Sequence, residues 1–301
     1  MPYQIVQEIE TDLNAVDTDM SLLSETNFVK RASALDRLEF RVIHRLENVL
    51  YEHGYRAELA LLQRRAADTW QRLDHINVTL FHRLRETIVH SRDRAALVRQ
   101  LFDTYVGDRI DNDRDPLGYD ALDVFVNGLL GIDTEPEETR AILPGMIGYQ
   151  ATPARVILAL IDQAQLGPDD VFYDLGAGLG RVVMLVGLLG GIQARGIEFE
   201  PAYCTYAQQR ADGLGLSRVH FINADVREAD LAQGTVFFMY TPFTGSILTT
   251  VLERLQHQAR TRPFTLATYG PCTQHILRKN WVQPLAGQSL RDYDVAIFKT
   301  C

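Results

Sequence analysis

The stretch "DVFYDLGAGLGRVVMLV", Asp170 to Val186, decides how this chain folds. A β-rich apolar run ends at Leu175, three glycines follow at alternate positions, and an apolar helical run begins at Arg181. That order is a strand, a tight turn and a helix, the opening unit of a sheet covered by helices. In such sheets ligands bind beyond the carboxyl ends of the strands. Glycines let the backbone approach a ligand closely, and the start of the helix offers free N–H groups.

Downstream the alternation continues. "QARGIE", "RVHFIN", "TVFFMY" and "FTLATY" read as further strands, with helices near 153–165, 180–190, 201–214 and 246–259. A short helix around 272–279 precedes "WVQPL" and "YDVAIFKT", which are close enough together to form an antiparallel terminal hairpin. The reading is a Rossmann-like α/β fold: a seven-stranded, mostly parallel sheet with helices on both faces. Thr152 before Pro153 reads as a helix start, with the threonine oxygen capping free amides.

Upstream, apolar residues recur at helical spacing. Leu35, Leu38, Val42, Leu46 and Val49 form one stripe; Leu59, Leu62, Ala66, Trp70, Leu73, Leu80, Leu84 and Ile88 form a longer one, interrupted by Asn77. This predicts an all-α N-terminal domain over residues 1–140 and a ligand-binding domain over 141–301, with breakers in "DTEPEETRAILPGMIG" between them. The long stripe fits an intramolecular bundle or a homodimer contact.

The net charge of −9 argues against non-specific affinity for nucleic acid or anionic membrane, because the average field repels polyanions. Acidic residues outnumber basic ones between Gln100 and Gly145, whereas the reverse holds from Asn27 to Arg99. Three cysteines, widely spaced, form no metal or redox motif and fit a reducing compartment, so a cytoplasmic protein is expected. No leader-like N-terminus and no run long enough for a bilayer is seen.

The spacing of the turn narrows its ligand. Gly176, Gly178 and Gly180 make G-x-G-x-G rather than the G-x-G-x-x-G of dinucleotide sites. Asp174 stands two residues before the first glycine, where a carboxylate repels a pyrophosphate but suits the ammonium and sulfonium of S-adenosylmethionine. Glu198 ends the second strand, where it can accept hydrogen bonds from ribose hydroxyls. Asp225, just past the third, can accept from an adenine amino group, with the Val226 amide placed for a ring nitrogen. Ala177 and Phe199, beside these positions, complete the expected cofactor contacts together with Tyr240.

With these residues, the region from Gly148 to Cys301 resembles the class I S-adenosylmethionine-dependent methyltransferases. Within that class "FYDLGAGLGRVVMLV" looks like the glycine motif of the disruptor-of-telomeric-silencing histone lysine methyltransferases. "YQATP", Tyr149 to Pro153, is similar to a motif of small lysine methyltransferases acting on membrane ATP synthase subunits. The resemblance implies S-adenosyl-L-methionine as cofactor and a side-chain nitrogen, lysine-like, as acceptor. The chain departs from it after the fourth strand. "FFMYTPF" carries Tyr240-Thr241-Pro242-Phe243 where the histone enzymes have asparagine and aromatic residues, and tyrosine replaces the asparagine of an Asn-Pro-Pro-aromatic motif.

Methyl transfer needs alignment and exclusion of water rather than a nucleophilic side chain. Tyr149, Tyr240 and Phe243 are the candidates for the reaction chamber, with a tyrosine hydroxyl or a water path relieving an amine of its proton. Other motifs carry less. Asp111, Asp113 and Asp115 imitate a calcium loop but lack its glycine and final glutamate, and His44, His53, His75, His82 and His90 lack zinc-protease spacing, so no metal is expected. Cys204 reads as a small packed residue. A small-molecule N- or O-methyltransferase, a non-catalytic S-adenosylmethionine-binding scaffold and a nicotinamide enzyme are the competing functions.

Overall fold

The computed structural model describes residues 2–53, 57–107 and 118–301. The acidic loop with Asp111, Asp113 and Asp115 and the side chain of His53 lie outside the described residues. The chain forms two compact units. The first comprises Met1–Thr87, Arg99–Arg114 and Asp120–Leu129; the second comprises Ile88–Val98, Asp115–Tyr119 and Leu130–Cys301.

The first unit is built from helices α1 (Pro2–Asp17), α2 (Phe28–Arg37), α3 (His44–His53) and most of α4 (Ala57–His90), with parts of α5 (Arg94–Tyr105) and α6 (Ala121–Leu130). A π-helical turn, Leu38–Ile43, joins α2 to α3 without breaking the apolar stripe. Leu38, Val42, Leu46 and Val49 pack with Ile9, Leu13 and Val16 of α1 and with Leu59, Leu62, Ala66 and Leu73 of α4 in one apolar cluster. This part of the long stripe is therefore satisfied inside the bundle. Phe28, Phe81 and Phe125 add an edge-to-face aromatic group with centroids 5.1 to 5.6 Å apart.

Asn77, which interrupts the stripe, has a buried partner. Arg31 is wholly buried, and its Nε donates to Asn77 Oδ1 at 2.7 Å while its other nitrogens donate to the carbonyls of Leu22, Ser24 and Glu25. An Asn77→Leu variant leaves that Nε–H without its acceptor. The expected loss is about 1–3 kcal/mol of stability. Urea unfolding checks it: the midpoint falls and the slope stays constant.

The second unit contains the sheet: β1 (Val171–Leu175), β2 (Gln193–Glu198), β3 (Val219–Asn223), β4 (Val236–Tyr240), β5 (Thr265–Tyr269), β6 (Val282–Pro284) and β7 (Ala296–Thr300). The strand order is β3-β2-β1-β4-β5-β7-β6. The first five strands are parallel, and β7 runs antiparallel to both β5 and β6. Helices α7 (Ala154–Ala164), α8 (Arg181–Gly190), α9 (Pro201–Gly213), α10 (Gly245–Ala259) and α11 (Cys272–Ile276) connect and cover the strands. The order reverses between β1 and β4, so the crevice for a ligand opens beyond Leu175 and Tyr240.

Residues from Leu130 onward belong to the second unit, where the segment after α6 is fastened to α9. Asp133 N donates to Tyr206 Oη at 3.1 Å, Arg210 pairs with Asp133 at 3.0 Å, and Ile132 packs beside Tyr206. Thr152 does not cap α7. The N-cap position is Pro153, one residue later, and the Thr152 carbonyl instead accepts from Arg181 Nη1 at 3.1 Å. Among the described residues no helix is long and apolar enough to cross a membrane.

Candidate functional site

The turn after β1 is shaped by side chains that pass close above it. A Cβ on Gly176 would lie 2.4 Å from Pro242, and one on Gly178 would lie 2.5 Å from the ring of Tyr149. Both glycines have positive φ, +105° and +52°. Tyr149 reaches this position because the chain before it pairs antiparallel with the segment after β4. Met146 bridges Phe243, Ile147 N donates to Pro242 O at 3.0 Å, and Thr244 N donates to Gly145 O at 2.6 Å. The ring of Tyr149 then meets Tyr203 edge-on at 5.6 Å.

Together these elements line an open cavity of about 330 Å³ at the switch point of the sheet. Asp174, Gly176, Ala177, Gly178, Glu198, Phe199, Val226 and Tyr240 of the expected cofactor set line it, as do Tyr149 and Phe243 of the expected chamber. Gly180 and Asp225 do not. Gly180 occupies the N-cap of α8 beneath Phe221 and Ala207. Asp225 turns its carboxylate to Arg227, whose Nε donates to Oδ1 at 3.0 Å and Nη2 to Oδ2 at 2.5 Å. This pairing holds the Asp225 carboxyl below the usual carboxylate range, and Ala224 and Val226 form the wall on either side of it.

The charged groups of the cavity are unusual in their setting. Asp174 is almost fully buried, and burial, then repulsion from Glu198, pushes its pKa well above the ordinary carboxylate value. Glu198 is also raised by burial, against the pull of hydrogen bonds: its Oε2 accepts from Gly178 N at 2.7 Å and its Oε1 from Glu200 N at 2.8 Å. Two carboxylates in a largely apolar wall favour a ligand that brings positive charge and hydroxyl donors. An ammonium near Asp174 and vicinal hydroxyls near Glu198 fit this donor set, as S-adenosylmethionine would present them; a pyrophosphate does not.

The tyrosines are held in their neutral form. Burial raises Tyr149 to about 12 although the Arg181 guanidinium opposes it, and burial with the neighbouring phenols of Tyr119, Tyr269 and Tyr293 raises Tyr240 further. Neither phenol is therefore suited to act as a general base near neutral pH. Phe243 is buried in the core cluster with Ile247, Leu248 and Val251 of α10 and also lines the cavity.

Sequence reasoning missed Glu200. It is the N-cap of α9, and its carboxylate accepts from Thr139 Oγ1 at 2.6 Å and Arg140 N at 2.9 Å, tying the segment around Arg140 to the rim. Burial would raise its pKa, but these hydrogen bonds and that of Ala202 N outweigh it and bring it to about 2. The signal was present: an acid directly before a proline marks an N-cap followed by N1. Tyr293, which also lines the cavity, was missed as well. Among the described residues no group of three or more histidines, cysteines or acids is arranged to hold a metal ion.

The sheet order, with the glycine turn and two carboxylates at its switch point, is a Rossmann-like α/β architecture, a class that includes the class I S-adenosylmethionine-dependent methyltransferases. Within that class, residues 148–237 match the model of the family described as "Histone methylation protein DOT1". A stretch of 78 residues is 43% identical to a histone-lysine N-methyltransferase, H3 lysine-79 specific, of Cryptococcus neoformans, covering 25% of this chain and 12% of that protein. A stretch of 112 residues is 27% identical to a protein-lysine N-methyltransferase of Saccharolobus islandicus, covering 36% of this chain and 66% of that protein. An RNA methyltransferase from Salinibacter ruber, solved with S-adenosyl-L-homocysteine, is 24% identical over 50% of this chain and 92% of its own, with a TM-score of 0.40.

Proposed function

We propose that this protein is an S-adenosylmethionine-dependent methyltransferase whose acceptor is a protein side-chain nitrogen, lysine first. The observation that carries the reading is the pair of buried carboxylates, Asp174 and Glu198, against the glycine turn at the switch point. When bound, S-adenosylmethionine supplies an electrophilic methyl group on a sulfonium. Asp174 would bind the ammonium end, Glu198 the ribose, and Val226 the face of the adenine. Tyr149 and Tyr240 would exclude water and orient the acceptor lone pair by accepting its remaining N–H.

An extended acceptor is favoured over a metabolite because the cavity is not sealed. Ile142, Ile147 and Tyr293 line it yet are 51%, 50% and 60% exposed, so the acceptor end opens to solvent. The similarity of residues 148–237 to a family named for histone methylation supports the same acceptor class. Cys204 and Cys272 are free and buried and Cys301 is free, which supports a reducing compartment such as the cytoplasm.

The test is transfer of a labelled methyl group from S-adenosylmethionine to lysine-rich basic polypeptides, followed by acid hydrolysis. Label recovered as ε-N-methyllysine supports the proposal; folded, cofactor-binding protein that labels only small molecules, or nothing, overturns it. With both phenols neutral, the rate is expected to rise with pH as the acceptor amine loses its proton, with no limb belonging to an enzyme base. Tyr240→Phe should lower kcat by about five- to tenfold, the value of one hydrogen bond, and leave the shape of the profile unchanged. A limb that vanishes in Tyr240→Phe would contradict this.

A further inference from the structure

After β3 the chain makes one tight turn, Asp225 to Ala229, beside the wall against which the base of the cofactor would lie. Ala224 and Val226 line the cavity, and Asp225 between them does not. Its carboxylate is taken up within the turn. Oδ1 accepts from Arg227 N at 2.9 Å and from Arg227 Nε at 3.0 Å, and Oδ2 accepts from the same Nε at 3.1 Å and from Nη2 at 2.5 Å. A carboxylate offers about four acceptor positions, and these contacts use them. A neutral amino group brought by a ligand would have to displace a charged donor from one of these oxygens, which exchanges a stronger hydrogen bond for a weaker one.

The turn is itself held from two sides. Glu228 N and Ala229 N donate to Asp225 O at 2.9 and 3.0 Å, and Arg254 of α10 reaches across to the carbonyls of Val226 and Ala229 at 2.7 and 2.6 Å. Ala224 N donates to Glu198 O at 3.0 Å, which ties the turn to the end of β2. Val226 also packs in the core cluster with Leu248, Val251 and Leu252 of α10. Because Asp225 and Arg227 stand two residues apart in a turn already fixed, their pairing costs little further chain entropy.

We infer that Arg227 sets the base specificity of the cofactor site: by occupying both oxygens of Asp225 it leaves the 6-amino group of an adenine without a carboxylate to read it, and the base is held by the wall of Ala224 and Val226 instead. This rests on the functional reading above and deepens its cofactor half. The acid after β3 then acts on the cofactor only by shaping the turn. The pocket should therefore accept a purine that lacks the amino group nearly as well as adenine.

The test is calorimetric titration of the full chain with S-adenosylhomocysteine and with its analogue carrying hydrogen in place of the 6-amino group. The two are expected to bind within about threefold of each other, whereas an amino group donating to a carboxylate would cost the analogue roughly ten- to a hundredfold. Arg227→Ala frees both oxygens of Asp225 while Arg254 still holds the turn, and it should create a preference for S-adenosylhomocysteine of about tenfold or more. The double variant Arg227→Ala/Asp225→Ala should bring the ratio back to within about threefold, which separates reading of the base from general damage to the turn, since damage would weaken both ligands alike. A preference of tenfold or more in the natural protein, or an Arg227→Ala variant that binds both ligands and discriminates no better than the natural protein, would overturn the inference alone. Failure of the folded natural protein to bind either ligand would overturn the methyltransferase reading and the inference with it.

Discussion

A Gly178→Arg variant is expected to fold and to lose S-adenosylmethionine binding by at least about three orders of magnitude. The position has φ +52°, and even a Cβ would come within 2.5 Å of the Tyr149 ring, so a longer side chain has no path except into the cavity. Its guanidinium would also bring positive charge to the carboxylates that are to receive the cofactor's own. A loss of about 4 kcal/mol corresponds to that thousandfold weakening. The turn lies at a strand end, so the sheet should survive. Circular dichroism and a melting curve check the fold, and calorimetric titration reads the affinity. Binding within tenfold of the natural protein would show that the ligand does not approach the turn.

The second large effect concerns Asp174 and has two opposite signs. In the free protein its pKa is raised by burial and by Glu198. A carboxyl whose folded pKa lies above its unfolded value stabilises the fold below the unfolded value, and that contribution is lost as pH rises towards the folded one. Free Asp174→Asn should thus be more stable than the natural protein at neutral pH. With ligand the order reverses. An ammonium beside Asp174 favours the carboxylate, so binding should release a proton, and affinity should rise with pH up to the raised pKa and level off above it. Removing one partner of a buried charge pair costs about 2–5 kcal/mol, a weakening on the order of 30- to several-thousandfold. Titrations in buffers of different ionisation enthalpy measure the proton. A natural protein that binds without proton release, or an Asn variant that binds equally well, would remove Asp174 from the ammonium site.

The parallel core of the fold was legible because periodicity reports burial. β2 spans the same residues in sequence and structure, and α8, α9 and α10 differ from expectation by a residue. The carboxyl-end residues Asp174 and Glu198 were legible for the same reason: once strands are placed, their ends are placed. Asp225 was not, because a strand end does not reveal that Arg227, two residues on, will take both carboxylate oxygens. Arg31 escaped for a related reason. Its burial depends on three carbonyls near the start of α2 and on Asn77 forty-six residues away, although the polar break in the α4 stripe was its trace. Tyr293 had no trace, since its turn has no periodicity and is positioned by hydrogen bonds to the end of β5. The cavity wall at Tyr293 is thus a tertiary feature, whereas the glycine turn with Asp174 and Glu198 is nearly a local one.

The most direct measurement is calorimetric titration of the natural protein, shown free of co-purified ligand, with S-adenosylmethionine and, in parallel, NAD. The account predicts saturable one-to-one binding of S-adenosylmethionine and none of NAD. Binding of NAD in its place, or no binding of S-adenosylmethionine by a folded protein, would contradict the assignment of the turn from Asp174 to Arg181 and the function built on it.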